Sequence, residues 1–219
     1  MNFRINAPHI KSSIKNIRSS GYTFARALSD LADNTITKSD KLDIELCFDS
    51  KDLLYEIKIE DNYVNGFENI EKNGEDNPFN MGHIRSGHEN NDETSEFGIG
   101  MKSSVISLCN KWNIYTKVND RCWWIVFNFV KMCSKTNPIE SYEWEQYMPD
   151  IPIQMYNTYH KYKFGSTLIL NEMCGCAANL TKNRAIFSAT KMIKDTYSKL
   201  IIKKGLSITL NGEVIEPHP

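Results

Sequence analysis

Ser95-Glu96-Phe97-Gly98-Ile99-Gly100-Met101-Lys102-Ser103-Ser104 sets two glycines one residue apart, then a lysine and two hydroxyl residues, in front of apolar Val105, Ile106, Leu108 and Cys109. The apolar residues predict a helix, and the glycines predict a tight turn leading into it. In such a turn backbone N–H groups can approach an anion, and the helix N-terminus adds a favourable field. Phosphate suits that geometry, with Lys102 as a point charge on it. A lone Gly-x-Gly is more often just a turn, so its weight comes from what precedes it.

Upstream, Phe24, Ala27, Leu28, Leu31 and Ala32 recur at helical spacing, and Thr23 follows Gly21 as an N-cap candidate. Asp30 and Asn34 stand four residues apart and so share one face of that helix. A carboxylate and a carboxamide stacked in this way offer hard oxygen ligands or a water-positioning pair, as a Mg²⁺–nucleotide site requires. A solvated acidic face is the commoner fate of such a pattern on its own. Further on, Tyr55, Ile57 and Ile59 alternate as a strand that runs into Asp61-Asn62 and a turn at Asn65-Gly66. A carboxylate buried at a strand end favours a ligand that donates to it, such as an exocyclic amine, because an unpaired buried acceptor is costly.

In this order the segments resemble the motifs of the GHKL (Bergerat-fold, HATPase_c) ATPases, the family of DNA gyrase B, the heat-shock-ninety chaperones, MutL, sensor histidine kinases and Microrchidia (MORC) proteins. Asp30-Leu31-Ala32-Asp33-Asn34 is similar to the family's E-L-x-D-N helix motif, and Asp61 to Asn65 to its D-x-G-x-G motif. Gly98 to Lys102 is similar to G-x-G-x-[GK], and Gly165-Ser166-Thr167-Leu168-Ile169-Leu170 to the later G-[ST]-x-hydrophobic-x motif. Four motifs in order, over roughly residues 20 to 170, are far more specific than any one of them. Phe97 to Ser103 looks most like the heat-shock-ninety and MORC branches. The sensor-kinase branch is disfavoured, because about twenty residues before the Asp30 helix leave no room for a dimerisation hairpin.

The resemblance implies an α/β (α+β) two-layer sandwich, with helices on one face of a mixed, mostly antiparallel sheet. It implies ATP and Mg²⁺ as cofactors, ADP as product, and an ATP-dependent homodimer. By position, Asp30 is the catalytic carboxylate and Asn34 the Mg²⁺ ligand. Asp33 supports the adenine pocket or the Mg²⁺ shell, and Asp61 binds the adenine amine. Asn65 and Gly66 form the turn beside it. Gly98, Ile99, Gly100, Met101, Lys102 and Ser103 cradle the phosphates, and Thr167 backs Asp61.

Two departures from the family pattern bear on turnover. Asp30 stands where hydrolysing members carry glutamate, so its carboxylate falls about an ångström short, a misplacement that can cost roughly a hundredfold in rate. Tyr63 and Asn65 replace the two motif glycines, although Asn65 tolerates positive φ and Gly66 follows. The expectation is a slow ATPase, in DNA-related or defence processes if the MORC-like look holds. The alternatives are an ATP-binding module that does not hydrolyse and an interaction domain with a vestigial pocket.

The chain of 219 residues is long enough for one full core, and a single domain over residues 1–219 is expected. It divides into an amino-terminal arm over residues 1–20, a polar lid over 67–97 that holds Arg85 and Ser86, and an irregular insertion over 134–163. It is either the amino-terminal part of a larger protein or a minimal stand-alone module. A net charge of −1 with scattered lysines shows no footprint for nucleic acid, so such binding would need a local patch or another part of the protein. No apolar run approaches about twenty residues and no signal peptide begins the chain, so a soluble intracellular protein (cytoplasmic or nuclear) is expected. The six cysteines lack zinc spacing and read as small buried hydrophobes. The segments Trp112–Val118 and Trp123–Val130 read as a hairpin around Asn119-Asp120, and Leu206–Leu210 with Val214-Ile215 as another around Asn211-Gly212. Between them, the apolar spacing from Ala185 to Ile201 predicts a long amphipathic helix.

Overall fold

A computed structural model describes residues 10–36, 38–70, 100–134 and 146–218. Eight strands form one sheet in the order β5-β4-β3-β6-β2-β1-β7-β8. They are β1 (Lys41–Phe48), β2 (Leu54–Asp61), β3 (Cys109–Val118), β4 (Arg121–Asn128), β5 (Gln146–Met148), β6 (Ser166–Met173), β7 (Ser207–Leu210) and β8 (Glu213–Val214). Only β1 and β7 pair in parallel; the other contacts are antiparallel.

The helices are α1 (Ile10–Ser19), α2 (Phe24–Ile36), α3 (Gly100–Leu108), α4 (Phe129–Ser134), α5 (Ile153–Tyr159) and α6 (Lys182–Lys204). Thr23 caps α2, its hydroxyl accepting the Arg26 N–H at 3.2 Å. On α2 the apolar residues Phe24, Ala27, Leu28, Leu31 and Ala32 are all buried in the main core, with Val105 and Leu108 of α3 and Ala185, Ala189 and Ile193 of α6. The core-facing residues of the sheet alternate as a period of two requires: Ile57 and Ile59 on β2, Trp112 and Ile114 on β3, Leu168 and Leu170 on β6. Both expected hairpin turns carry two residues of positive φ, Asn119 (50°) with Asp120 (63°) and Asn211 (52°) with Gly212 (82°), as type I′ turns demand.

Three features differ from the sequence expectations. The second strand of the first hairpin stops at Asn128, and Phe129 and Val130 open α4 instead. The region expected to be an irregular insertion contains β5 and α5 in its described part. Moreover, α5 packs on the sheet face away from the main core. There Tyr156, which is fully buried, joins Tyr115, Cys122 and Ile151 in a second, smaller cluster. Scattered tyrosines and prolines hid this helix, because a helix of seven residues shows too little periodicity to register. The cysteines of the described residues are free thiols, and burial raises Cys109, Cys174 and Cys176 above the ordinary thiol range. Among the described residues no helix is long and apolar enough to cross a membrane.

Candidate functional site

The strand ends of β2, β3 and β6 meet on the helix-facing side of the sheet and hold the first half of the site. Asp61 closes β2 on the same face as Ile57 and Ile59, and only 9% of its surface is exposed. Its carboxylate accepts the Tyr63 N–H at 2.8 Å and the backbone N–H of Ser166. Burial outweighs those bonds and pushes its pKa up to about 7. The Ser166 hydroxyl lies 2.7 Å from the Thr116 hydroxyl, which in turn accepts the Phe67 N–H at 3.1 Å. Two glycines allow this close approach. A Cβ on Gly165 (φ +122°) would lie 2.0 Å from the Asp61 carbonyl, and one on Gly66 (φ +52°) 2.4 Å from Thr116 Oγ1.

Helices α2 and α3 supply the second half. Asp30 Oδ2 accepts from the Tyr22 phenol at 3.0 Å and lies 3.0 Å from Ser104 Oγ on α3. Asn34 is exposed one turn along, and its Nδ2 donates to the Asp30 carbonyl at 2.5 Å, which leaves Oδ1 as its available acceptor. A short connection of the chain links the two halves. After α2 ends at Ile36, β1 begins within five residues, and Leu42 pairs with Asp61 while the Lys41 N–H donates to Asn62. Gly100, Met101, Lys102 and Ser103 form the first turn of α3, and Met101, Lys102 and Ser103 are buried. Burial alone lowers the Lys102 ammonium to about 8. Gly98, Ile99, Arg85, Ser86 and the rest of the lid beyond residue 70 lie outside the described residues, as does the arm before residue 10.

Several expected site residues are placed elsewhere. Thr167 makes no hydrogen bond to Asp61. It pairs with Glu60 across β2 and β6, on the opposite face, where its hydroxyl lies 2.9 Å from His160 Nδ1 and 3.1 Å from the Tyr159 carbonyl. Ser166 takes the place beside Asp61. The alternation of β6 carried that signal, since Leu168 and Leu170 mark the core face and Ser166 shares their parity. Asp33 turns towards α6, accepting the Tyr197 phenol at 2.7 Å, and burial raises its pKa. Asn65 is exposed, with its amide donating to Tyr63 and Glu68, and the positive φ of the turn falls on Gly66 instead. Tyr63, which replaces a motif glycine, closes that turn by donating to Glu68; Lys38 pairs with the same carboxylate at 2.9 Å. Tyr22, Ser104 and Thr116 are contacts without a motif signal of their own, whereas Ser166 stands at the hydroxyl position of the Gly165-Ser166 motif as well as on the core-facing parity of β6.

Residues 22–159 match the model of the histidine kinase-, DNA gyrase B- and HSP90-like ATPases. The chain belongs to that family. This GHKL domain superposes on the ATPase region of Saccharomyces cerevisiae topoisomerase II with a TM-score of 0.54 at 14% identity, covering 88% of this chain and 47% of that one. It is likewise similar to the ATPase and transducer domains of DNA topoisomerase II from Balamuthia mandrillaris, with a TM-score of 0.52 at 10% identity and coverage of 88% and 48%. The yeast ATPase region bound to ICRF-187 (dexrazoxane) superposes with a TM-score of 0.51 at 12% identity, covering 88% and 47%. The GHKL domain thus spans about half the length of these structures, and at such identities the likeness is one of fold. No curated protein matches it in sequence.

Proposed function

We propose that this GHKL domain binds ATP with Mg²⁺ and hydrolyses it slowly, using nucleotide as a conformational and dimerisation switch. The observation that carries the reading is Asp61: a carboxylate nine-tenths buried, held by two backbone N–H groups at a strand end, with the Ser166 and Thr116 hydroxyls beside it. Once ionised it can only accept hydrogen bonds, and the amine of adenine supplies a donor. The phosphates would then reach the Gly98–Lys102 turn and the N-terminus of α3, where Lys102 offers charge.

The chain's donors suit a nucleotide-held cation. Among the described residues no group of three or more His, Cys, Asp or Glu side chains could hold a metal, whereas Asn34 Oδ1 is available. One protein oxygen completed by phosphates and water is how Mg²⁺ is commonly held. When bound, the cation neutralises charge on the β- and γ-phosphates. Asp30 accepts a proton from water attacking the γ-phosphorus in line, the bond to the bridging oxygen breaks, and ADP and phosphate leave. The MORC-like look of Phe97 to Ser103 leans this reading toward DNA-related or defence processes.

Calorimetric titration with a non-hydrolysable ATP analogue and Mg²⁺ tests the pocket. Saturable binding is expected, weakened by about 10–100-fold in Asp61→Asn, as for loss of a hydrogen bond to a charged group. Binding that is absent from the folded protein would favour an interaction domain with a vestigial pocket, and binding indifferent to Asp61→Asn would remove the adenine assignment.

A further inference from the structure

The carboxylate assigned as the base is already tethered. Tyr22 donates to Asp30 Oδ2, and Ser104 Oγ approaches the same oxygen. Ser104 carries one hydroxyl proton and also lies 2.8 Å from the Gly100 carbonyl, so that proton is shared between two acceptors. The Tyr22 phenol, in contrast, has Asp30 as its acceptor among the described residues. Its ring is half-buried just before α2, with the Arg26 guanidinium 5.3 Å from the ring centroid. Burial and then the bond to Asp30 raise the phenol above its ordinary pKa, so it stays a donor through neutral pH.

This arrangement bears on the orientation of Asp30, not on the reach that an aspartate lacks beside a glutamate. A carboxylate free to rotate about its last torsion presents either oxygen to a water, in a broad range of planes. The Tyr22 donor, with Ser104 sharing its one proton, restricts that plane from Oδ2, and among the described residues no hydrogen bond reaches Oδ1. We propose that Tyr22 is a positioning residue: with Ser104 it holds Asp30 so that Oδ1 faces the water that attacks the γ-phosphorus. The assignment rests on the hydrolysis reading above. Ser104 lies one turn into α3, where the same hydroxyl also reaches the Gly100 carbonyl at the start of that helix.

The test measures steady-state ATP hydrolysis, analogue affinity and thermal midpoint for wild type, Tyr22→Phe, Asp30→Asn and the double variant. Tyr22→Phe should lower kcat by roughly tenfold or more, the loss of one charge-assisted hydrogen bond, with KM and analogue Kd within about twofold. The double variant should be no slower than Asp30→Asn, because a residue acting only through Asp30 has nothing left to position. An Asp30-dependent rate that Tyr22→Phe leaves unchanged would overturn the Tyr22 assignment alone. So would a loss of kcat accompanied by equal losses of affinity and thermal midpoint, or a further loss on top of Asp30→Asn. Equal background rates for wild type and Asp30→Asn would overturn the hydrolysis reading and the Tyr22 assignment with it.

Discussion

Asp61 is where stability and ligand binding pull in opposite directions. Its pKa in the folded protein, about 7, lies above that of an unfolded aspartate, about 3.9. The folded state therefore keeps a proton that the unfolded chain has lost, and stability falls as pH rises between those two values. At 1.36 kcal/mol per pH unit the loss reaches as much as about 4 kcal/mol. Ligand-free Asp61→Asn should accordingly gain stability over wild type between pH 4.5 and pH 8 in urea denaturation, about 2–4 kcal/mol by pH 8. A stability difference that does not grow with pH would show that Asp61 titrates normally. The same carboxylate that costs stability when ionised and empty is the one suited to accept from an adenine amine. Perturbed carboxylates in clefts often mark functional sites for this reason.

At the scale of elements, the start of β6 determines how the pocket is built. Gly165 lies against the Asp61 backbone, and its carbonyl accepts the Tyr156 phenol of α5 at 3.0 Å. The neighbouring Thr167 is bound to His160 on the far face. Burial lowers the His160 pKa, so at neutral pH it is an uncharged partner. The short helix α5 thus clamps, from behind, the strand whose next residue serves Asp61. Gly165→Ala must open this contact, since both φ and the space exclude a Cβ. We expect a loss of about 2 kcal/mol or more in denaturation midpoint analysis, with weakened binding of the ATP analogue. Wild-type stability in that variant would mean the turn can relax without moving Asp61.

Across the whole molecule, α1 is tied to α3. Arg18 donates to the Ile106 carbonyl at 3.0 Å, to the Cys109 carbonyl at 3.2 Å and to Asn110 Oδ1 at 2.8 Å, placing a cation at the C-terminal end of α3. A shift of α3 on nucleotide binding would therefore be felt at the N-terminal segment, which supports the proposed dimerisation switch. Light scattering after size exclusion should show a monomer without nucleotide and a dimer with the ATP analogue and Mg²⁺. Arg18→Ala should reduce the dimer fraction. An unchanged mass in both states would remove the dimer from the proposal.

Element positions were legible because their signals are local. The periods of 3.6 and 2 placed α2, β2 and α6, and Asn-Asp and Asn-Gly placed two hairpin turns. The order of four motifs then led to the GHKL family. The short α5 was not legible, for its period never repeats. Nor were contacts made between segments distant in the chain: Tyr22 and Ser104 reach Asp30 across 8 and 74 residues, and Tyr197 reaches Asp33 across 164. A motif names residue types at a spacing, but which face a carboxylate turns to, and which hydroxyl meets it, is set by packing. The sequence by itself determined the fold and its family. Only the tertiary structure decided that Asp33 serves α6 and that Tyr22 holds Asp30, because burial and side-chain hydrogen bonds between elements exist only once the layers have closed.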